Sequence, residues 1–356
     1  MKAPFPWFGG KSSVAALVWD RFGDVPNYVE PFFGSGAVLL ARPHTPATET
    51  INDLDCMVAN FWRALQHDPE AVAYFADNPV NEADQHARHL WLCSQEEFRE
   101  RMKVDPYYYD ANIAGWWVWG QCIWIGSGWC SRQLPDLAEI REQGTGNREQ
   151  GIHRKLPHLG NAGMGVHRQR PHLGNAGQGI HRQLPHLGNA GRDLLAYMHE
   201  LADRLRRVRV CCGDWSRICG PTPTVKQGIT GVFLDPPYCD AADRQADLYA
   251  QDSGDVALRV REWALEWGND PRMRIALCGY EGEHEMPDSW QCMAWKARGG
   301  YGSQGDDRGR ENAERERIWF SPHCLGVRQA MLFAPDYSLD GAADREAMEI
   351  ENRTVL

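Results

Sequence analysis

A carboxylate and an aromatic ring stand together at the end of a short apolar run. Asp235 closes the run 231–235, which predicts a β-strand, and Pro236, Pro237 and Tyr238 follow it directly. Ligands of α/β sheets bind beyond the carboxyl ends of the strands, so these side chains stand where a ligand would lie. Taken alone, the four residues have an alternative explanation as an ordinary strand-ending turn, because Pro-Pro also interrupts regular structure.

A glycine pair and a second carboxylate follow two other predicted strands. Gly34 and Gly36 come after a strand predicted at 28–30, and glycines at a strand-to-helix turn let a ligand approach the backbone closely. Asp53 closes a strand predicted at 48–53, a position from which a carboxylate commonly bonds ribose hydroxyls. The alternative for Asp53 is an N-cap of the following helix, and the two roles are compatible.

The elements that must position these residues alternate along the chain. Strands are predicted at 28–30, 48–53, 208–212, 231–235, 273–278, 291–295 and 317–320. Helices are predicted to start at 36 and to cover 54–66, 83–102, 113–124 and 193–208. This alternation predicts an α/β fold, a mostly parallel sheet with helices on both faces. We predict a discontinuous catalytic domain (1–74 and 192–335), an insertion at 75–191 and a flexible tail at 336–356.

The charge of the chain is unevenly distributed. The formal net charge is −10, which by itself argues against a polyanionic partner. Residues 141–192 nevertheless hold seven Arg and one Lys against two Glu, together with six of the 13 His. Within this segment, residues 151–191 contain three copies of a 14-residue unit that ends in His-Leu-Gly-Asn-Ala-Gly. A basic stretch inside an acidic chain points to a nucleic-acid partner.

Three motifs, in this order, resemble those of the Dam-type family of adenine-specific DNA methyltransferases. They are Trp-Phe-Gly-Gly-Lys at 7–11, Glu-Pro-Phe-Phe-Gly-Ser-Gly at 30–36 and Asp-Pro-Pro-Tyr at 235–238. Ile-Asn-Asp-Leu at 51–54 and Gly-Asp-Trp at 213–215 look like further motifs of that family. The stretch 116–132 stands where the family has an aromatic helix and a DNA-contacting loop, but residues 124–129 depart from the family pattern, which leaves the target sequence open.

The resemblance implies a Rossmann-like, S-adenosylmethionine-dependent methyltransferase sheet with an inserted, mostly helical and loop target-recognition domain. It implies cofactor contacts from Trp7, Lys11, Glu30, Phe32, Gly34, Gly36, Asp53, Asp214 and Asp235. It assigns catalysis to Asp235, Pro236, Pro237 and Tyr238, with the carboxylate and the Pro236 carbonyl accepting from the amino group of a flipped-out adenine and Tyr238 stacking on the base. Neither a metal nor a covalent enzyme intermediate is required.

Double-stranded DNA is the partner that the resemblance implies, and the insertion is the part of the chain that would contact it. We expect phosphate or base contacts from the basic residues Arg132, Arg154, Arg168 and Arg182. The repeats have two alternative explanations: a low-complexity solvent loop, or a zinc site built from pairs such as His153 and His158, which lacks Cys or carboxylate neighbours.

Other functions remain open from the sequence. An N4-cytosine methyltransferase would use the same kind of tetrapeptide, although Asp at 235 favours adenine. A non-catalytic DNA-binding relative, or a methyltransferase acting on RNA or a small molecule, would keep the same fold. The 11 scattered Cys predict reduced thiols in a cytoplasmic protein of a bacterium or a bacteriophage. The sequence shows neither a membrane span nor a signal peptide, and we expect a monomer or a dimer on DNA.

Overall fold

The computed structural model describes most of the chain outside the insertion and the tail. The described residues are 1–7, 9–105, 107–124, 129–130, 190–238, 256–295 and 315–326. The strands are β1 Asn27–Glu30, β2 Thr48–Asp53, β3 Val208–Cys212, β4 Thr230–Leu234, β5 Met273–Tyr280, β6 Gln291–Ala294 and β7 Glu316–Phe320. All seven predicted strands are confirmed, each to within two residues at either end. The repeats, the tail and the four arginines predicted to contact DNA lie outside the described residues.

The strands form one sheet in the order β3-β2-β1-β4-β5-β7-β6. The five strands from β3 to β5 are parallel, whereas β7 runs antiparallel to both β5 and β6. Every residue of β1 and β4 is buried, as expected for central parallel strands covered on both faces. The chain order reverses between β1 and β4, so the crevice beyond their carboxyl ends is the natural ligand site of this α/β sheet.

Nine helices lie in the described ranges. They are α1 Ala15–Phe22, α2 Ala37–Leu40, α3 Cys56–His67, α4 Pro69–Ala76, α5 Glu82–Cys93, α6 Glu96–Val104, α7 Ala111–Ile123, α8 Ala190–Leu205 and α9 Val256–Trp267. The single helix predicted at 83–102 is wrong, because α5 ends at Cys93 and α6 begins at Glu96. The Ser94 hydroxyl donates to the Trp91 carbonyl (2.7 Å), a local bond that competes with continuation of the helix.

The tryptophan-rich helix α7, predicted at 113–124, is buried, and its rings join the core beside the sheet. The Phe5 ring lies edge-on to Trp117 of α7 (centroids 5.0 Å apart) and to Phe61 of α3 (5.4 Å). The predicted domain boundary at 74/75 falls inside α4, which runs from Pro69 to Ala76. Because α7 shares a core with the N-terminal segment, the division into two domains stays a prediction.

None of the helices in the described ranges combines the length and the apolar character that crossing a bilayer requires.

Candidate active site

The predicted site residues come from separate stretches of the chain and meet at the carboxyl edge of the sheet. Glu30 is the last residue of β1, Asp53 is the last residue of β2, and Asp235 follows β4. Parallel strands bring their carboxyl ends to the same edge, so these three carboxyl groups share one side of the molecule. Lys11 enters the same site from a short 3-10 turn, Lys11–Ser13, near the N-terminus.

Lys11 and Asp235 form a buried ion pair. The Lys11 ammonium lies 2.9 Å from Oδ1 of Asp235, and the side chains are 5% and 22% exposed. Burial by itself would lower the pKa of Lys11, but the carboxylates of Asp235 and Glu316 outweigh it and raise that pKa above its usual value. The ammonium also donates to the Gly9 carbonyl at 2.6 Å, which fixes its position. Lys11 therefore stays charged and holds the Asp235 carboxylate in one orientation.

Tyr238 links Asp235 to a second carboxyl group, that of Glu316. Its hydroxyl lies 3.0 Å from Oδ1 of Asp235 and 3.0 Å from Oε2 of Glu316. A phenol has one hydrogen, so it donates to only one of the two carboxylates at a time. Burial raises the pKa of Glu316 to about 7, although the Lys11 ammonium opposes that shift. Near neutral pH this carboxyl group is therefore half protonated and shares the hydroxyl with Asp235.

Sequence reasoning missed Glu316 and two aromatic residues around it. The antiparallel register pairs Glu316, the first residue of β7, with Tyr280, the last residue of β5. The Tyr280 ring meets the Tyr238 ring edge-to-face, with centroids 4.7 Å apart, and Trp295 follows β6 with its ring 5.3 Å from the Lys11 ammonium. The one available signal was that each residue stands within two residues of the end of a predicted strand. Which residues lie beside it depends on the order of the strands in the sheet.

The glycine loop after β1 is crowded by aromatic rings. Gly34 has a φ of +48°, and a Cβ built on it would lie 2.4 Å from the Trp7 indole nitrogen. Gly36 has a φ of +71°, and its Cβ would lie 2.6 Å from the Phe33 ring. Both positions therefore require glycine for backbone conformation and for space. The atoms that a side chain at position 34 would collide with belong to Trp7, a residue that the family resemblance also assigns to the cofactor site.

Asp53 holds the glycine loop in place. Its Oδ2 accepts from the Gly34 amide (2.9 Å) and its Oδ1 from the Asp55 amide (2.9 Å). Burial and the neighbouring Asp55 carboxylate raise the pKa of Asp53 to about 7. The helix-cap alternative for Asp53 is wrong: Asp55 is the N-cap of α3, because its side chain accepts from the Met57 amide.

The side chain of Glu30 is held in place by a hydrogen bond from a residue of the same strand, β1. It is 2% exposed, and the Tyr28 hydroxyl donates to its Oε2 at 2.8 Å. Burial raises the pKa of Glu30 well above its usual value, and the charge of Asp235 adds to that shift, although the bond from Tyr28 opposes it. Asp235 and Glu316 thus place two carboxyl groups beside the ammonium of Lys11, and Glu30 lies close enough to Asp235 for the charge of Asp235 to act on it. Burial favours the neutral forms of Glu30 and Glu316, and a cationic ligand would favour their ionised forms, so the site is suited to such a ligand.

Phe32 and Asp214 lie at the side of the site nearest β3. The Phe32 ring faces the ring of Trp215 (centroids 6.2 Å apart), and Trp215 begins the 3-10 turn after β3. Asp214 is exposed, and its Oδ1 accepts from the Ser216 amide at 3.0 Å, so in this structure it caps that turn. The structure thus brings Lys11, Asp235 and Tyr238 into direct contact, whereas Asp214 forms its hydrogen bonds to the described residues within its own turn.

Part of the chain is similar to a known protein family. Residues 7–113 match the family described as D12 class N6 adenine-specific DNA methyltransferase. The matched stretch contains Trp7, Lys11, the glycine loop and Asp53, while Asp235 and Tyr238 lie beyond it. No curated protein matches the chain.

Proposed function

We propose that this chain is an N6 adenine-specific DNA methyltransferase, which takes its methyl group from S-adenosylmethionine and transfers it to an adenine rotated out of duplex DNA. The observation that carries the proposal is the contact between Lys11 and Asp235, at 2.9 Å, at the carboxyl edge of the sheet. It joins the part of the chain that matches the family to the Asp-Pro-Pro-Tyr tetrapeptide outside that match. The two parts thereby form one site.

The site residues fit a positively charged methyl donor. When bound, S-adenosylmethionine supplies an electrophilic methyl group on a cationic sulfonium. Burial raises the pKa values of Glu30, Asp53 and Glu316, and a bound cation would favour the ionised forms of these carboxyl groups, so the described residues of this site are suited to a cation. The indole N–H of Trp295 is buried and has no hydrogen-bond partner in the part of the chain that the structure describes, which offers a donor to a polar ligand. Asp53 and Glu30 are the acceptors we assign to the ribose hydroxyls and to the amino group of the methionine part.

Asp235 is the group that we assign to the amino nitrogen of the adenine. Within the described residues, both polar contacts of its carboxylate are made through Oδ1, from Lys11 and from Tyr238. Its Oδ2 is therefore oriented as an acceptor for an N6 hydrogen. A carboxylate held in this way stabilises the positive charge that develops on the nitrogen as it attacks a methyl group. The Pro236 carbonyl is the second acceptor in this assignment, and Pro237 stiffens the turn.

Tyr238 is the stacking surface that we assign to the flipped base. Its hydroxyl is held by two carboxyl groups, so the plane of the ring is fixed before a base arrives. Rotating a base out of a duplex costs a few kcal/mol, and stacking on an aromatic ring returns about 1 to 3 kcal/mol per base. A preorganised ring therefore supports extrusion of the target nucleotide.

The insertion at 75–191 is the part of the chain that we assign to duplex recognition. Its basic segment carries Arg154, Arg168 and Arg182 at the same position of each repeat, and Arg132 precedes it. Deleting one 14-residue unit should reduce the slope of log affinity against log salt by about one for each phosphate that the unit binds. An unchanged slope would assign the repeats to a solvent loop. We place the enzyme on DNA as a monomer in a bacterial or phage-infected cytoplasm.

Adenine is favoured over the other acceptors. An N4-cytosine enzyme would need the same acceptor geometry, but the family match is to adenine-specific enzymes. A non-catalytic relative is disfavoured because Asp235 and Tyr238 are both present and in contact. An RNA or small-molecule substrate is disfavoured by the same family match.

The direct test is transfer of a labelled methyl group. The purified chain is incubated with methyl-labelled S-adenosylmethionine and unmethylated duplex DNA, and the label in DNA is counted. Asp235→Ala should abolish transfer with an unchanged circular dichroism spectrum. Asp24→Asn is the matched control, since that carboxylate is 73% exposed and pairs with Arg42 away from the site. Full activity of a well-folded Asp235→Ala variant would contradict the assignment.

A further inference from the structure

Two cysteines and a histidine outside the methyltransferase site form a compact cluster. His89 and Cys93 lie four residues apart on α5, so they share one face of that helix, and Cys130 approaches them from beyond α7. The donor nitrogen of His89 and the two sulfur atoms all lie within 4.8 Å of one another. The methyltransferase mechanism uses none of these groups.

The His89 ring is oriented by its surroundings. It stacks on Trp124 (centroids 5.1 Å apart) and packs at a tilt against Trp129 (5.2 Å). The Cys130 amide donates to Nδ1 of His89 at 3.3 Å. A neutral imidazole whose Nδ1 accepts a hydrogen bond carries its hydrogen on Nε2, and we assign that tautomer from the hydrogen-bond network. Nε2 lies 3.9 Å from the Cys93 sulfur, so its N–H points at that sulfur.

The two sulfur atoms stand in different environments. Cys93 is half-buried, whereas Cys130 is 7% exposed. Hydrogen bonds from Cys130 and then from His89 lower the pKa of Cys93, against the opposing effect of burial, and the charge of Arg99 acts in the same direction as those bonds. Burial raises the pKa of Cys130. The less buried of the two cysteines is therefore the one whose thiolate form is favoured, and it lies beside a buried thiol.

Cys130 also holds an unusual backbone conformation. It has a φ of +56° and is the one non-glycine residue with positive φ among the residues that the structure describes. Trp129 beside it is anchored, because its indole donates to the Trp117 carbonyl at 3.0 Å. Strain of this kind persists where the surroundings enforce it and is frequent at functional positions. Here the enforced conformation turns the Cys130 amide toward His89.

We propose that Cys93 and Cys130 form a peroxide-reactive dithiol that closes to a disulfide. The Cys93 thiolate attacks one oxygen of a hydroperoxide, the O–O bond breaks, and the other oxygen leaves and is protonated to water or an alcohol. Cys93 is then a sulfenic acid. The Cys130 sulfur attacks the Cys93 sulfur, losing its proton, the S–O bond breaks and water leaves. The two thiols lose two electrons and the peroxide gains them.

The proposed disulfide would link Cys130 covalently to the C-terminal end of α5. Cys130 directly precedes residues 131–189, which contain the basic repeats, and Cys93 is the last residue of α5. A disulfide bond is about 2.05 Å long, so the two sulfur atoms must rotate toward each other to form it. The inference concerns the oxidation state of this pair and holds whatever substrate the methyltransferase site accepts.

The test is peptide mapping after oxidation. Reduced, metal-free protein is treated with hydrogen peroxide, remaining thiols are blocked with N-ethylmaleimide, and the digest is analysed by mass spectrometry. A cross-linked peptide pair containing Cys93 and Cys130, lighter by two hydrogens, is expected. In Cys130→Ser, dimedone should label Cys93 as the trapped sulfenic acid. His89→Leu should slow the oxidation by about tenfold or more, because the thiolate loses its donor.

The chain offers matched internal controls. Cys56 and Cys212 are also in contact, with sulfur atoms 3.7 Å apart, but both are buried. We expect that pair to stay reduced at the same peroxide dose. Cys292 is exposed but burial of its sulfur raises its pKa, so it should react more slowly than Cys93.

Two outcomes would overturn the proposal. The first is oxidation of Cys93 in the wild type no faster than that of Cys292, with no cross-link to Cys130. The second is one zinc ion per chain in the purified protein that both Cys93→Ser and Cys130→Ser release. That result would make the cluster a metal centre, since two thiolates and an imidazole are also zinc ligands.

Discussion

The Lys11 ammonium lies 2.9 Å from the Asp235 carboxylate, although the two residues stand 224 positions apart in the sequence. This contact explains why a Gly-Gly-Lys turn accompanies an Asp-Pro-Pro-Tyr tetrapeptide. The lysine compensates the charge of Asp235, and it fixes the carboxylate that we assign to the adenine amino group. The site therefore depends on both ends of the pair.

Replacing Lys11 tests that dependence. Lys11→Met keeps the length of the side chain but leaves Asp235 without its cation. Removing one partner of a buried ion pair is strongly destabilising, and we expect about 2 to 3 kcal/mol here, since Asp235 keeps some contact with water. The measurements are the free energy of unfolding in urea and the rate of methyl transfer. That rate should fall by at least the fraction of the protein that the substitution unfolds.

A surface pair of the same length is the control. Lys103 and Glu100 also lie 2.9 Å apart, but their side chains are 47% and 71% exposed. Lys103→Met should change the free energy of unfolding by less than about 0.5 kcal/mol. Equal effects of the two substitutions would show that the pair with Asp235 has no special role.

Tyr238 contributes a ring and a hydroxyl, and two substitutions separate them. Tyr238→Phe removes the donor shared by Asp235 and Glu316, so the two carboxyl groups repel each other; we expect kcat/KM for DNA to fall about tenfold. Tyr238→Ala also removes the stacking surface and should cost a further 1 to 3 kcal/mol, or about fivefold to 150-fold. Comparable activity of the Phe and Ala variants would rule out the stacking role.

Glu316 makes the stability of the protein depend on pH. Burial raises its pKa from 4.5 to about 7, so between those values the folded protein binds more protons than the unfolded chain. The free energy of unfolding therefore falls as pH rises through this window, by about 3 kcal/mol for a shift of this size. Glu316→Gln should remove that part of the fall, which urea unfolding at several pH values would show.

The Asp53 carboxyl group contributes in the same direction. Its pKa rises from 3.8 to about 7, so part of the pH dependence must survive in Glu316→Gln. An identical dependence of unfolding free energy on pH for the wild type and Glu316→Gln would mean that folding does not raise the pKa of Glu316. It would then not share a hydrogen with Tyr238 near neutral pH.

Gly34 is the most sterically demanding glycine of the loop after β1. Gly34→Ala places a methyl group against the Trp7 indole at a positive φ, and we expect a loss of about 2 kcal/mol in stability together with weaker methyl transfer. Adding Trp7→Ala should recover the steric part. Gly220→Ala is the control, because nothing lies within 4 Å of a Cβ at that position. No difference between Gly34→Ala and Gly220→Ala would contradict the crowding.

The sequence predicted the parts of the fold that depend on local pattern. Apolar runs located the seven strands, and the motifs located Lys11, Asp53 and Asp235 at strand ends or turns. Glu316 could not be placed beside Tyr238, nor Trp295 beside Lys11, because these contacts depend on the antiparallel register of β7 and on the order of strands in the sheet. The break between α5 and α6 was missed for a local reason, the hydrogen bond of Ser94 to its own helix.

The central claim is tested most directly by identifying the modified base. DNA incubated with the chain and S-adenosylmethionine is digested to nucleosides and analysed by liquid chromatography with mass spectrometry. We predict N6-methyl-2′-deoxyadenosine from the wild type and none from Asp235→Ala. N4-methylcytosine in place of the adenine product, methyl groups only in RNA, or equal adenine methylation by Asp235→Ala would contradict the account.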